Sequence, residues 1–211
     1  MPEPGKGRVT LLETSVVKHF GNAVQFEREL EVYRSGLPML PRLLSFHRPF
    51  SITLERLEGR PYLDLLSLET VPLLAETIAL FHRSTYAEGT CICHHDNQPR
   101  NILLTGKRFY LIDFSETRRD PPESDLTHLL LFWAEEFDPP AFELLCRSFL
   151  TLYLDRLPVE FHRWQRCLGA SILRFDLRRA LYRGPASRTF SPRVQQNRSL
   201  LRSCPIALIK R

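Results

Sequence analysis

The sequence predicts an α+β fold in two lobes, a small β-rich N-lobe over residues 1–59 and a larger, mostly helical C-lobe over 60–211. Three observations predict it. Short β-branched and apolar runs crowd the first 59 positions around a single helical stretch. The texture changes at Glu58-Gly59-Arg60-Pro61. From Leu126 onwards the apolar spacing is helical almost without a break.

Each element follows from its own residues. Positions 9–13 and 15–20 flank a polar Glu13-Thr14 turn and read as a hairpin. Ala23, Phe26, Leu30 and Tyr33 recur among charges at helical spacing, and Gly36 and Pro38 stop that helix. Positions 43–46 and 51–57 read as two more strands, with Pro49 between them. Positions 70–82 form a helix with Pro72 in its first turn, where a missing N–H costs little. Short strand-like runs follow at 91–93, 102–104 and 109–112, the last two joined through Thr105-Gly106-Lys107. Three helical blocks follow, LTHLLLFWAEEF, AFELLCRSFLTLYLDRL and FHRWQRCLGASILRFDLRRALYR.

The 211 residues, 43% hydrophobic and 25% charged, have ordinary globular composition. No apolar run is long enough to span a bilayer, and MPEPGKGRVT lacks the pattern of a signal peptide, so the expected location is cytoplasmic. Five cysteines without framework spacing read as reduced thiols. Charge is divided unevenly. From Phe161 on, twelve Lys and Arg face Asp176 alone, a balance of +11, while residues 1–160 carry 17 basic and 23 acidic groups, a balance of −6. Only four lysines occur, at Lys6, Lys18, Lys107 and Lys210.

The densest chemistry lies in CICHHDNQPRN, residues 91–101. Its Cys91, Cys93, His94 and His95 lack the CxxC or HxxxH spacing that brings two ligands onto one ion. If 90–94 is a strand, Cys91 and Cys93 share one face while Ile92 and His94 take the other, which disfavours a metal site. The same stretch contains His94-x-Asp96-x-x-x-x-Asn101 followed by Ile102-Leu103-Leu104. Twelve residues after Asn101 comes Asp113, within Leu111-Ile112-Asp113-Phe114-Ser115.

In order and spacing these residues resemble the catalytic loop and metal-binding turn of the protein-kinase-like superfamily. HHDNQPRN is similar to the HGDxHPxN loop of its compact bacterial branches: lipopolysaccharide core-sugar kinases, aminoglycoside and choline phosphotransferases, and RIO-like kinases. His95 stands where those enzymes have Gly. The resemblance covers roughly residues 8–135, and what it implies is a bilobal kinase-like fold and ATP- and Mg²⁺-dependent phosphoryl transfer to a hydroxyl. It assigns Asp96 as the base, Asn101 and Asp113 as Mg²⁺ ligands, and His94 as a tie between the loop and the Asp113 turn. Lys18, ending Ser15-Val16-Val17-Lys18, is similar to the lysine that holds the α/β-phosphates. FERELEVYRSG selects Glu29 as its partner, with Glu27 second. Arg100, four residues after Asp96, is placed to face the transferred phosphate. Glu55 and Leu57, in the connector Glu55-Arg56-Leu57-Glu58-Gly59, stand where the hinge bonds adenine. Asp125 is read either as an anchor of the catalytic loop or as a charge at a helix start.

Two departures bear on function. The G-x-G-x-x-G loop is reduced to Gly5, Gly7 and Arg8-Val9. Only eight residues separate Glu116 from Asp125, so a long activation segment and its peptide-docking platform are absent. The leading expectation is a kinase acting on a sugar or small molecule, an anionic acceptor or glycolipid such as a lipopolysaccharide core sugar. A compact Ser/Thr protein kinase and a nucleotide-binding pseudokinase are the alternatives. The arginine-rich end, in which Arg174, Arg178 and Arg179 cluster, reads as a cationic amphipathic surface for an anionic acceptor or for peripheral contact with the inner membrane face. RNA is the less favoured partner.

Overall fold

The first 55 residues form a four-stranded antiparallel sheet in the computed structural model, which describes residues 7–183 and 190–203. Strands β1 (Arg8–Leu11), β2 (Ser15–His19), β3 (Leu43–His47) and β4 (Ser51–Glu55) lie in the order β1-β2-β4-β3. Helix α1 (Ala23–Arg34) starts where the Asn22 side chain accepts the Val24 N–H at 2.7 Å, an N-cap that satisfies an otherwise open donor. It buries Phe26, Leu30, Val32 and Tyr33. Gly7 is required by packing: a Cβ there would lie 2.8 Å from the His19 carbonyl oxygen. Gly5 and Cys204 lie outside the described residues, as do the last basic positions.

The linker then passes so close to the second sheet that a Cβ on Gly59 would meet Thr105 Oγ1 at 2.6 Å. Strands β5 (Arg60–Pro61), β7 (Ile102–Thr105) and β8 (Arg108–Leu111) form that sheet in the order β5-β7-β8. Strand β6 (Cys91–Cys93) pairs antiparallel with β9 (Arg118–Asp120). Strand β9 departs from expectation. Its residues are charged and carry no apolar alternation, so only the pairing partner makes it a strand. Several ends also shift: β4 closes at Glu55 rather than running to 57, and β8 closes at Leu111, leaving Ile112 in the turn.

Helices α2 (Val71–Arg83), α3 (Glu123–Glu136), α4 (Pro139–Leu154), α5 (Phe161–Arg183) and α6 (Pro192–Arg202) make up the rest. Helix α3 is buried along most of its length, with α5, α4 and α6 packed on it. Trp133 on α3 and Trp164 on α5 are fully buried. Each indole N–H has a partner, Tyr62 Oη at 3.1 Å and the Leu201 carbonyl at 3.0 Å. Truncating either would remove about 3–5 kcal/mol.

Helix α5, read as a cationic surface, turns four of its arginines toward the acidic part of the chain. Arg163, Arg174, Arg178 and Arg179 pair with Glu123, Glu116, Asp96 and Glu135, all in the first 160 residues. Phe175 is buried, while Leu173, Leu177 and Leu181 face outward. No helix among the described residues is long and apolar enough to cross a membrane.

Candidate active site

Lys18 sits on β2 opposite Val9 and Ile52, and its side chain points toward α1 and the catalytic turn. Its ammonium donates to Glu29 and, at 2.6 Å, to Asp113 Oδ1. Glu29 lies on the buried face of α1 between Phe26 and Tyr33, fully shielded from solvent. Glu27, the second candidate, instead pairs on the surface with Arg48 at 2.8 Å. Burial pushes the Glu29 carboxyl up to about 7 against the pull of Lys18. Burial also works against the Lys18 ammonium, but Glu29 and Asp113 outweigh it and raise its pKa.

Strand β6 runs straight into the loop that presents Asp96. His95 has φ +61°, the left-handed region that few side chains favour. That explains why Gly occupies this place in the loops it resembles. Asp125, near the start of α3, holds the bend from below. Its carboxylate accepts the N–H of His94 at 2.6 Å and of His95 at 2.8 Å, and contacts His82 Nε2 at 3.0 Å. Burial opposes that charge, but the bond to His82 and the nearby histidines outweigh it and hold the carboxyl well below the usual range. His94 uses both ring nitrogens: Nε2 donates to the Ile112 carbonyl at 2.9 Å and Nδ1 accepts the Asp96 N–H at 3.2 Å. It therefore ties the loop to the turn.

Asp96 Oδ2 accepts from Gln98 Nε2 at 2.8 Å and Asn101 Nδ2 at 3.0 Å, while Oδ1 accepts from Arg178 Nη1 at 2.7 Å. Asn101 Nδ2 also donates to the Asp96 carbonyl at 2.9 Å. The Asn101 amide nitrogen is thus directed at Asp96, and its amide oxygen receives no hydrogen bond among the described residues. Asp113, at φ +67°, receives Lys18 and the Ser115 hydroxyl (3.1 Å) on Oδ1. Burial opposes its charge, but Lys18 and Ser115 prevail and lower its pKa. Phe114 behind it is buried against Tyr33, Phe81 and His94.

These groups open onto two recesses. The first, about 420 Å³, lies between the sheets and is lined by Val9, Val16, Lys18, Leu54, Asn101 and Asp113, with Glu55 and Leu57 at its rim. Glu55 is tied to Arg42, accepting its backbone N–H at 2.9 Å and donating its own N–H to the Arg42 carbonyl at 2.9 Å. The second, about 410 Å³, is lined by Asp96, Gln98, His128, Phe132, Phe175 and Arg178, among others. Exposed Arg100 borders both, and among the described residues it has no ion-pair partner. The first recess combines an apolar slot with an ammonium, a carboxylate and an amide oxygen. Hard oxygen donors of this kind suit Mg²⁺. The site joins residues from β2, α1, the loop after β6 and the turn after β8.

Residues the motifs did not single out complete the site. His82 on α2 orients Asp125, Tyr33 Oη accepts the Asp113 N–H at 3.3 Å, and His128 on α3 lines the second recess. The helical period places all three on buried faces, the only signal the sequence offers. Cys91 and Cys93 have their sulfurs 3.6 Å apart on one face of β6, and the nearby histidine is His82 rather than His94 or His95. Both His82 nitrogens are engaged, by Asp125 and by Tyr153 Oη at 2.7 Å.

The choline kinase LicA of Streptococcus pneumoniae superposes with a TM-score of 0.60 at 17% identity, over 95% of this chain and 89% of that one. The ADP-bound aminoglycoside phosphotransferase APH(2'')-Ib does so at 0.54 and 14%, over 94% and 92%. At such identities the likeness is one of fold. A curated relative from Archaeoglobus fulgidus, described as a probable serine/threonine-protein kinase BUD32 homolog, is 24% identical over 185 residues, 80% of each chain. The model of the phosphotransferase enzyme family matches residues 19–162, which include Glu29, the catalytic-type loop and the Asp113 turn. With a kinase-like fold around that loop, the chain belongs to the phosphotransferase enzyme family and is a phosphotransferase.

Proposed function

We propose that this phosphotransferase moves the γ-phosphoryl group of ATP to a hydroxyl of a sugar or other small molecule, with Mg²⁺ as cofactor. The observation that carries the reading is the position of Asp96: it lines the second recess, while Lys18, Asn101 and Asp113 line the first. A donor nucleotide and an acceptor alcohol thus have separate compartments that meet at the catalytic-type loop, beside Arg100.

In this reading Lys18, held by Glu29, pairs with the α/β-phosphates. The Asn101 oxygen and the Asp113 carboxylate would hold Mg²⁺, which would neutralise phosphate charge. The backbone around Leu57 faces adenine, because the Arg56 N–H is already donated to the Thr14 carbonyl at 3.0 Å. Asp96 takes the acceptor's hydroxyl proton as its oxygen bonds to the γ-phosphorus. The bond from that phosphorus to the β–γ bridging oxygen breaks, and the electron pair leaves on ADP. Arg100 faces the charge that gathers on the transferred group. The reaction draws on cytoplasmic ATP, and a lipopolysaccharide core sugar is one acceptor of the proposed class.

Protein as acceptor is the second reading, favoured by the archaeal relative. Against it, the segment between Asp113 and α3 is short and pinned by the β6–β9 pair. Transfer of labelled phosphate from ATP, tested on sugars, glycolipid and protein extract, separates the two. Asp96→Asn should retain nucleotide binding and reduce transfer by about 10²–10⁴-fold. Undiminished transfer in that variant would refute the assignment of the base.

A further inference from the structure

Arg178 approaches Asp96 from α5, placing Nη1 2.7 Å from Oδ1. The other carboxylate oxygen already receives Gln98 and Asn101. The proposed base is therefore held by three donors, and the one on Oδ1 carries a full charge. The two partners differ in freedom: the Arg178 side chain is 37% exposed at the recess, and that of Asp96 only 11%. Gln98 and Asn101 belong to the same loop as Asp96, whereas Arg178 reaches it from another element. Arg178 is thus the donor that can leave without disturbing the loop.

The recess around this pair is cationic. Arg100, Arg178 and Arg179 face Asp96 and Glu135 across it. Arg179 is committed to Glu135 and to the face of Phe190, 4.6 Å from the ring centroid. Phe132 and Phe175 form an apolar wall with ring centroids 5.0 Å apart. His128 sits beside them, and its Nδ1 is buried without a hydrogen-bond partner. Choline and aminoglycosides, for which the structural neighbours are named, are cations. Arginines directed into the acceptor compartment disfavour that charge.

We propose that the acceptor bears an anionic group, a phosphate or a carboxylate, near the hydroxyl to be phosphorylated, and that this group draws Arg178 away from Asp96 and frees the base. The inference rests on the phosphotransferase reading above and names the acceptor class for the same site. A guanidinium binds phosphate or carboxylate through two parallel N–H bonds, whereas Asp96 receives only one nitrogen of Arg178. The incoming anion therefore offers Arg178 a second bond, and the vacated side of Oδ1 faces the acceptor hydroxyl. Without an anion, Arg178 occupies that side and discourages transfer to water. Arg178 is a positioning and specificity residue in this scheme, and Asp96 remains the base.

The test uses the full chain with Mg²⁺-ATP and follows ADP release and phosphorylated product. The added probes are glycerol 3-phosphate, glycerol and choline, at matched ionic strength. The expected wild-type result is slow ATP turnover that glycerol 3-phosphate raises at least 5-fold while glycerol and choline do not, with a response that weakens as salt rises. Arg178→Gln should start from a higher basal turnover and show no further response to the anion, with the KM for ATP changed less than 2-fold. Arg178→Lys, which keeps the charge but not the fork, should retain part of the response. Circular dichroism of both variants shows that they are folded. ATP turnover by the wild type without any anion response, or an Arg178→Gln protein that behaves as wild type, would overturn this inference and leave the phosphotransferase reading standing. No ATP turnover by either protein would overturn both.

Discussion

Removing the Asp125 side chain tests whether the catalytic-type loop is held from beneath. In Asp125→Ala the buried N–H groups of His94 and His95 lose their acceptor, and His82 loses the carboxylate beside it. Each orphaned buried N–H costs about 1–3 kcal/mol, so the two together cost about 4 kcal/mol. A similar figure, about 3–5 kcal/mol, applies to breaking a buried charged pair from one side. For a chain of this size that corresponds to a fall in melting temperature of roughly 8–16 °C. Urea unfolding followed by far-UV circular dichroism would measure it. Because the folded chain holds the Asp125 carboxyl below its unfolded value, its contribution is present above about pH 4 and is lost as pH falls further. The gap between wild type and variant should therefore narrow below about pH 4. A loss under about 1 kcal/mol at pH 7, or a gap that widens in acid, would refute the anchoring role.

Two further outcomes follow from the first recess. Asp113→Ala should abolish the Mg²⁺-dependent part of nucleotide binding, measured by calorimetry with a non-hydrolysable ATP analogue; unchanged binding with and without Mg²⁺ would place the metal elsewhere. Glu29, pushed by burial up to about 7, titrates near 4.3 when unfolded, so its contribution to stability is full below about pH 4 and is lost as pH rises through 7. Glu29→Gln should flatten the stability profile between about pH 4.5 and 7, and a profile that keeps the wild-type slope there would count against it.

What the sequence disclosed and what it hid have separate physical causes. The loop from His94 to Asn101 and the Asp113 turn were legible because their chemistry is local: the acid, the amide and the second acid stand at fixed short spacings. The choice of Glu29 over Glu27 came from the resemblance of FERELEVYRSG, and the helical period that buries Phe26, Leu30 and Tyr33 carries Glu29 to the same side. Strand β9 was hidden because Arg118-Arg119-Asp120 has no alternation, and long-range pairing with β6 alone defines it. His82 and His128 were hidden for a related reason. Each occupies a buried helical position where an apolar residue is the ordinary expectation, and its role depends on a partner from another element. The direction of the α5 arginines was hidden too, because charge asymmetry records how much charge a segment carries and not which way it faces.

That direction leads to a prediction opposite to the usual rule for a helix at a protein surface, where polar faces tolerate change and apolar ones do not. On α5 Arg163, Arg174, Arg178 and Arg179 turn inward beside the buried Trp164, Leu168 and Phe175, while Leu173, Leu177 and Leu181 face outward. Arg163 donates Nε at 3.2 Å to Glu123 Oε1, which also accepts the Glu160 N–H at 2.8 Å, and Glu123 is fully buried with Oε2 lacking any partner. Arg163→Leu keeps most of the apolar stem but leaves the Glu123 carboxylate buried without its cation. Removing one member of such a pair costs about 3–5 kcal/mol. The Arg163 side chain is 16% exposed, so water can reach part of the gap and the expected loss falls to about 2–4 kcal/mol. Leu177 on the same helix is 63% exposed, and Leu177→Gln should change stability by no more than about 0.5 kcal/mol. Paired urea titrations of the two variants read the difference directly. If Leu177→Gln proves the more damaging, the helix is held by its leucines and its arginines are ordinary surface charges, and the inward pairing that places Arg178 at Asp96 loses its support.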